Sequence, residues 1–345
     1  MNKIHWLFIV FLCCSCGENK NKINEQTAFA KDNAAGKVEI YDAAALNCID
    51  SSASIEIIAR GFTWCEGPLW VAGKQMLLFS DVPENKIYMW NAGDSAKVFL
   101  TPSGYESAQS AAGKDGSNGL ALDKDGNLLL CQSGNRQVAR LKAGFDSPKP
   151  VFTILASTYN GKKFNSPNDI VADSRNNIYF TDPVYGLPEG EHDPSRELKM
   201  EGVYKIDANG KLILLVDSIS RPNGIALSND EQVLYIASSD DNHPAWFAYR
   251  FDENRNIKSG GKLLDATSMK EKATVKQGAD GFKVDKYGNI FSSGPDGINI
   301  ISPSGKLLAL IKIYNRPTSN CAFNETKDVL YVTADDVVLR IKLHS

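Results

Sequence analysis

Six segments of the sequence share one pattern, in which an acid or amide side chain is followed mostly by a small residue and then by apolar residues. Side-chain oxygens of Glu, Asp and Asn are the ligands that hard cations prefer, and Ca²⁺ takes about 6 to 8 oxygens. None of the six positions carries His or Cys, which argues against zinc, copper or nickel. The six residues are Glu66, Asn118, Asn168, Asn223, Asp280 and Asn320.

Each segment by itself has a simpler interpretation, because Asn or Asp before Gly commonly opens a turn. The coincidence of six such positions, with carboxylates at Glu66 and Asp280, favours a shared site over six independent turns. Two carboxylates with several neutral amides suit Ca²⁺ better than octahedral Mg²⁺. The pattern therefore predicts a calcium site, provided that the fold brings the six positions to one level.

Short apolar strands that recur along the chain would bring these positions together. A β-rich run follows each polar position, and the runs repeat about every 50 residues. Helices should be scarce, because no stretch sustains an apolar period of about 3.6 residues. Six units of this kind predict an all-β fold, a six-bladed β-propeller with one four-stranded sheet per unit. Since innermost propeller strands run along the axis, the six polar positions would converge on the central channel.

The polar segments between the runs also resemble calcium loops. Segments 123–127 and 285–289 are rich in Asp, Asn and Gly, as such loops are. They lack the later Glu that closes a calcium loop, so we expect hairpin turns there.

Longer motifs contain or flank the polar positions. They are Glu66-Gly-Pro-Leu-Trp70, Asn165-Ser-Pro-Asn-Asp-Ile170, Tyr179-Phe-Thr-Asp-Pro-Val-Tyr-Gly186, Arg221-Pro-Asn-Gly-Ile-Ala226, Asp280-Gly281 and Arg316-Pro-Thr-Ser-Asn-Cys-Ala-Phe323. These motifs resemble the senescence-marker-protein/gluconolactonase family (SMP-30/gluconolactonase/LRE-like). The resemblance implies a six-bladed propeller that holds Ca²⁺, or another divalent ion such as Mg²⁺, Zn²⁺ or Mn²⁺, and that hydrolyses a sugar lactone.

The resemblance also implies roles for individual residues. Carried over by motif, the metal ligands would be Glu66, Asn168, Asn223 and Asp280, and Asp280 would also be the catalytic base. Asn118 and Asn320 match the ring without a ligand role, and Asn118 would line the channel on the substrate side. Tyr185 and His192 belong to a segment where a lid over the channel would fall, and they are candidate substrate contacts. A solvated loop histidine is the alternative for His192.

The first residues are typical of a bacterial lipoprotein signal. An apolar run follows Lys3 and ends at Cys13-Cys14-Ser15-Cys16, where Ser15 favours Cys16 as the acylated residue. Cleavage before Cys14, or an ordinary secretory peptide, remains an alternative. We therefore predict a signal peptide over 1–15, a tether over 16–45 and a single propeller domain over 46–345. The predicted location is the cell envelope, at the periplasmic or outer-membrane face, attached to the membrane through the lipid anchor alone.

Composition excludes one class of partner. The 345 residues include 38 Lys and Arg against 41 Asp and Glu, a net charge of −3, so no basic field favours nucleic acid. The sequence does not predict the oligomeric state.

Four cysteines lie beyond the leader, and they could pair in three ways or remain buried free thiols. They are Cys48, Cys65, Cys131 and Cys321.

Two other functions compete with a sugar lactonase. The same site could hydrolyse an aryl ester or an organophosphate, because diisopropyl fluorophosphatase is related to the family. A propeller with a purely structural Ca²⁺, which binds a polysaccharide or a protein at its rim, would also keep Glu66 and Asp280. Neither a phosphate-binding loop nor a Gly-x-Ser-x-Gly elbow is present in the sequence.

Overall fold

The polar segments between the apolar runs form tight hairpin turns. Asp123 Oδ1 accepts hydrogen bonds from the backbone N–H groups of Asp125 and Asn127, at 3.0 and 2.9 Å. The turn that begins at Asp285 has the same two bonds, both of 2.8 Å. Because these carboxylates bind the turn backbone itself, the prediction of hairpins rather than calcium loops is confirmed.

Six antiparallel sheets dominate the computed structural model, which describes residues 35–105 and 115–344. Blade one consists of Cys65–Val71, Met76–Asp81, Lys86–Trp90 and Lys97–Leu100. Blade two consists of Ser117–Leu122, Leu128–Gln132, Gln137–Leu141 and Phe152–Ala156. Blade three consists of Ile170–Ala172, Ile178–Asp182, Gly202–Ile206 and Leu212–Val216. Blade four consists of Pro222–Leu227, Val233–Ser238, Ala245–Phe251 and Ile257–Asp265. Blade five consists of Phe282–Val284, Ile290–Gly294, Gly297–Ile301 and Leu307–Ile313, and blade six of Asn320–Phe323, Val329–Ala334, Val337–Lys342 and Ile55–Arg60.

The first-named strand of each blade is its inner strand. Each inner strand contacts the inner strand of the next blade, and that of blade six contacts that of blade one. The circle of six blades is closed by Ile55–Arg60, which pairs with Val337–Lys342 from the other end of the chain. The predicted all-β six-bladed propeller is therefore confirmed.

An extra strand lies on the outer edge of blade five. Gly36–Ile40 pairs antiparallel with Leu307–Ile313, and Val38 is buried against the core. The 3₁₀ helix Ala43–Asn47 follows it and buries Ala45. The predicted end of the tether at residue 45 is therefore wrong, because the folded domain already includes Gly36. The predicted signal peptide and Cys16 lie outside the described residues.

Few other elements are present in the described part of the chain. They are the 3₁₀ helices Ala72–Lys74 and Gly190–His192, the small hairpin of Thr158–Tyr159 with Lys162–Lys163, and the α-helix Thr267–Lys272. None of the helices in residues 35–105 and 115–344 has the length and apolar character needed to cross a bilayer.

The apolar core lies between neighbouring blades. Between blades two and three, for example, Leu129, Phe180 and Tyr204 are fully buried in one cluster. Burial of each such side chain stabilises the fold by about 1.5–3 kcal/mol.

The four cysteines predicted as either disulfides or free thiols are all free and buried among the described residues. Burial raises the pKa of the Cys48 thiol to about 12, which suits a packing role.

Candidate functional site

The six predicted positions all lie at the start of the inner strands, and we call them the ring. Four of them are the first or second residue of an inner strand, namely Glu66, Asn118, Asn223 and Asn320. The other two, Asn168 and Asp280, precede their inner strands by two residues. Because every inner strand enters the channel from the same end, the ring residues lie at one level of the propeller.

Glycines let the ring residues of neighbouring blades approach one another. Four ring positions are followed by Gly, and a Cβ atom at any of these glycines would collide with the ring of the next blade. At Gly281 it would lie 2.0 Å from Asn320 Cγ, and at Gly224 it would lie 2.4 Å from Asp280 O. The same holds at Gly67 and Gly119. The glycine after these four ring positions is therefore needed for the close approach of the blades.

Hydrogen bonds between blades hold the ring together. Asn320 Nδ2 donates to Glu66 Oε2 at 3.4 Å, between blades six and one. Asn223 hydrogen bonds to Asp280, between blades four and five. The Asn223 amide also donates to Ser239 Oγ at 2.9 Å. The structure thus brings together ring residues that are far apart in the sequence.

The two ring carboxylates are held in an unfavourable electrostatic setting. Glu66 is 3% exposed, and its burial, with the negative charge of Asp169, raises its pKa to about 7. Loss of solvation and the negative charge of Glu66 raise the pKa of Asp280 well above its ordinary value. One backbone N–H group donates to each carboxylate, from Gly67 at 2.8 Å and Gly281 at 2.9 Å. A divalent cation between the carboxylates would relieve their mutual repulsion.

The amides of the ring differ in what they offer to a cation. Asn118 Oδ1 is buried and has no hydrogen-bond partner among the described residues. An unpaired buried acceptor costs about 1–3 kcal/mol, so a cation or a substrate hydroxyl at Asn118 would be favoured. Asn320 Oδ1, by contrast, already accepts hydrogen bonds from Lys283 Nζ and Cys321 N. Asn320 therefore presents N–H groups to the ring and is not placed as a cation ligand.

A cation in the ring would depend on these amides. Among the described residues, no three His, Cys, Asp or Glu side chains form a metal-binding group. The donor set is therefore two carboxylates and neutral carboxamide oxygens, with Asn168 and Asn223 5% and 6% exposed. Such all-oxygen donors suit Ca²⁺ or Mg²⁺ and disfavour zinc, which prefers nitrogen and sulfur ligands. The residues present fit a divalent ion of the calcium type.

Tyr185 and His192, the two predicted lid residues, line one cavity of about 390 Å³. Tyr185 hydrogen bonds to Ser239, which also contacts ring residue Asn223 and so connects the cavity to the ring. The 3₁₀ helix Gly190–His192 carries His192. A larger cavity of about 740 Å³ lies on blades three and four. No ring residue lines either cavity, but Tyr185 of the smaller one is connected to ring residue Asn223 through Ser239. We take the smaller cavity as the candidate substrate entrance.

Three polar residues near the ring and the entrance cavity were not among the predicted site residues. Arg221 lines the entrance cavity and forms an ion pair with Asp241. Asp169 is 1% exposed, and Lys283 Nζ approaches it to 4.0 Å. A signal for Lys283 exists in the sequence, because a lysine interrupts the apolar residues of the short inner strand Phe282–Val284.

Comparisons with known proteins place this geometry in a family. A family model described as "SMP-30/Gluconolactonase/LRE-like region" matches residues 64–336. The chain is 35% identical over 332 residues to a gluconolactonase of Zymomonas mobilis subsp. mobilis, which covers 94% of this chain and 88% of that protein. It is similar in structure to a gluconolactonase of Xanthomonas campestris, with a TM-score of 0.75, 26% identity and coverage of 89% and 95% of the two chains. It is also 24% identical over 292 residues to regucalcin of Sus scrofa, covering 82% and 87% of the two chains.

Proposed function

The chain belongs to the SMP-30/gluconolactonase/LRE-like family and is a lactone hydrolase, and we propose that it hydrolyses a sugar lactone with a divalent ion, Ca²⁺, held by the ring. The ligands are Glu66, Asn168, Asn223 and Asp280, as the family motifs imply. The observation that carries metal dependence is the pair of buried carboxylates with raised pKa values, Glu66 and Asp280. Mg²⁺, Mn²⁺ and Zn²⁺ are the competing ions.

The reaction adds water to the lactone carbonyl carbon and breaks the ester C–O bond within the lactone, so the product is a hydroxy acid. A bound divalent ion would polarise the carbonyl and lower the pKa of water. Asp280 takes the proton from the attacking water and gives it to the leaving ester oxygen of the lactone. The hydrogen bond from Gly281 N to Asp280 Oδ1 fixes this carboxylate at the start of its strand. Glu66, from blade one, lies near enough for its charge to raise the pKa of Asp280, and it supplies negative charge for the ion.

The entrance cavity supplies the contacts for the sugar hydroxyls. Tyr185 and His192 offer a phenol and an imidazole from the same cavity wall, and Arg221 adds a guanidinium group. Asn118 Oδ1 adds a hydrogen-bond acceptor that has no partner among the described residues. A polyhydroxylated substrate suits such a surface, because Glu189 and Glu191 line the same cavity and add hydrogen-bond acceptors to these groups. This favours a sugar lactone over the aryl-ester and organophosphate alternatives.

The Asp280→Asn variant tests the catalytic assignment. This change keeps the size of the side chain and one oxygen donor but removes the base, so we expect hydrolysis to fall about 10²–10⁴-fold. The assay is lactone hydrolysis at saturating Ca²⁺, with bound metal counted in the same sample so that occupancy and chemistry are separated. Asp285→Asn is the matched control, because Asp285 is a buried carboxyl of a distant hairpin turn. Wild-type turnover in Asp280→Asn would rule out Asp280 as the base.

The remaining alternatives are tested on the same preparation. A panel of aldonolactones, aryl esters and an organophosphate, each with and without restored metal, distinguishes the substrate classes. Faster turnover of an aryl ester than of every lactone would show that the protein is an aryl-ester hydrolase instead. Full metal occupancy without turnover of any member of the panel would favour the non-catalytic propeller with a structural ion.

We also propose that the mature protein is anchored in the cell envelope through acylated Cys16. The support is the leader sequence alone, since an acyl group on a Cys after an apolar run provides the anchor. Cys16→Ser should abolish fatty-acid labelling and membrane partitioning of the full chain in a Gram-negative host. Cys14→Ser is the matched control and should leave both intact. The reverse outcome would assign the anchor to Cys14.

A further inference from the structure

A second group of polar side chains shares one residue, Asn320, with the ring, and we call it the inner polar layer. It consists of Asp169, Lys283 and Asn320. These residues come from blades three, five and six, so the layer exists only in the closed propeller. Asp169 and Asn320 are 1% and 2% exposed, and the Lys283 side chain is 28% exposed. None of the three has a role in the proposed reaction.

The Asn320 amide connects this layer to the ring. Its Nδ2 group donates to Glu66 Oε2 and to Asp169 Oδ2, both at 3.4 Å. Its Oδ1 atom accepts from Lys283 Nζ at 3.2 Å and from Cys321 N at 2.8 Å. Because Lys283 can only donate, its ammonium group fixes the amide with its oxygen toward the lysine. The N–H groups of Asn320 therefore face the two carboxylates.

Asp169 is held in place by its backbone surroundings. Its Oδ1 atom accepts from Ile170 N at 2.9 Å, and its Oδ2 atom accepts from Ile225 N at 3.3 Å. A Cβ atom at Gly119 would lie 2.7 Å from Asp169 Oδ1, so the adjacent blade closes over this carboxylate. Asp169 cannot turn to solvent without a movement of the inner strands. Its charge therefore needs a partner inside the channel.

Lys283 is that partner. Its Nζ atom lies 4.0 Å from Asp169 Oδ2, and it is also held by Phe282 O at 3.0 Å. Among the described residues, no other basic side chain lies within 4.0 Å of Asp169, Glu66 or Asp280. Three carboxylates and one ammonium group leave two uncompensated negative charges. One divalent ion supplies the two positive charges that remain.

We propose that Lys283 is a resident cation of the channel, which neutralises Asp169 and so limits the channel to a single divalent ion. The inference rests on the proposed metal-binding function of the ring. It assigns the inner polar layer a role in metal affinity and stoichiometry. Lys283 is a positioning residue here, since it acts through Asp169 and Asn320 and touches neither the substrate nor the reacting atoms.

Calcium binding to the metal-free full chain tests this role without any activity measurement. Isothermal titration with Ca²⁺ gives the affinity and stoichiometry, and metal analysis after dialysis counts the bound ions. The wild type should bind one Ca²⁺ in the channel. Lys283→Met removes a positive charge close to the ion, so Ca²⁺ should bind about 10-fold more tightly, or more, in this variant. Lys286→Met is the matched control on an exposed turn, where screening should keep the change below about twofold.

A double-mutant cycle separates charge compensation from a merely structural contribution. Asp169→Asn alone should weaken Ca²⁺ binding by about the same factor as Lys283→Met strengthens it. The double variant Lys283→Met/Asp169→Asn restores the original charge count, so its affinity should return to within about threefold of the wild type. Lys283→Arg keeps the charge and should bind as the wild type does. If Lys283→Met alone does not fold, the comparison of Asp169→Asn with the double variant still decides the question, because the double variant contains no unpaired buried carboxylate at position 169.

Several outcomes would overturn the inference. Unchanged or weaker Ca²⁺ binding in folded Lys283→Met would show that the lysine is only structural. A double variant that stays as far from the wild type as a single variant would exclude charge compensation, and two channel ions in the wild type would exclude the limit on stoichiometry. A wild type that binds no divalent ion would remove the proposed metal centre together with this inference. If the wild type binds Ca²⁺ but the variants do not change affinity as predicted, only this inference is wrong and the proposed metal centre stands.

Discussion

Calcium binding should release protons in slightly acidic solution, because the ring carboxylates hold protons in the metal-free protein. Burial raises the pKa of Glu66 from 4.5 to about 7, and the pKa of Asp280 is raised as well. Between these two pH values the folded metal-free state binds a proton at Glu66 that the unfolded chain has already lost. Stability of the metal-free protein should therefore fall as pH rises from about 4.5 to about 7, and it should change little from Glu66 above that range.

The size of this effect follows from the shift at Glu66. A pKa near 7 instead of 4.5 corresponds to about 3 kcal/mol of lost stability in the metal-free protein above neutral pH. Since a carboxylate must be ionised to hold Ca²⁺, the apparent affinity should fall about tenfold per pH unit below pH 7 for each proton displaced. Asp280 adds to this dependence in the same direction.

Isothermal titration of Ca²⁺ in two buffers of different ionisation enthalpy gives the number of protons released. We expect about one proton or more near pH 6 and fewer near pH 8, where Glu66 is already ionised. Asp182→Asn is the matched control, because burial also raises the pKa of Asp182 to about 7 although it lies outside the ring. That variant should release as many protons as the wild type. A Ca²⁺ affinity that is the same at both pH values, with no proton release, would refute the electrostatic description of the ring.

Three further predictions concern the ring. Removal of Ca²⁺ with EDTA near pH 8 should lower the melting temperature, since a ligand at a hundredfold excess over its Kd stabilises the folded state by about 2.7 kcal/mol; an unchanged calorimetric transition in protein shown to be metal-free would contradict an ion that bridges blades. Gly281→Ala places a Cβ atom 2.0 Å from Asn320 Cγ, so denaturant unfolding should show a loss of about 1–3 kcal/mol, whereas Gly73→Ala, which meets no atom within 4 Å, should cost far less. Asn118→Ala should raise KM for the lactone more than it weakens Ca²⁺ binding, and a larger change in calcium Kd than in KM would instead make Asn118 a metal ligand.

The repeat in the sequence was sufficient to predict the propeller and the placement of the ring. Glu66 and Asp280 open equivalent inner strands, and glycines after them mark close contact between blades. The tether boundary failed for a different reason. The pairing of Gly36–Ile40 with Leu307–Ile313 joins distant parts of the chain, so no local pattern distinguishes this strand from a polar linker.

The inner polar layer could not be predicted because its three residues belong to three different blades. Asp169, Lys283 and Asn320 come from blades three, five and six, and they meet only when the propeller closes. The position of Asp169 beside Asn320 therefore depends on how distant blades pack around the channel, which the residue types of a single strand do not specify.

Metal-dependent lactone hydrolysis is the central claim, and the direct measurement is turnover of gluconolactone and related aldonolactones by the full chain before and after removal of its metal. Rates are corrected for spontaneous hydrolysis, and bound metal is counted in every sample. We expect the Ca²⁺-loaded protein to hydrolyse at least one sugar lactone, the EDTA-treated protein to lose that activity, and restored Ca²⁺ to recover it. Hydrolysis at an unchanged rate by protein shown to be metal-free would contradict the claim.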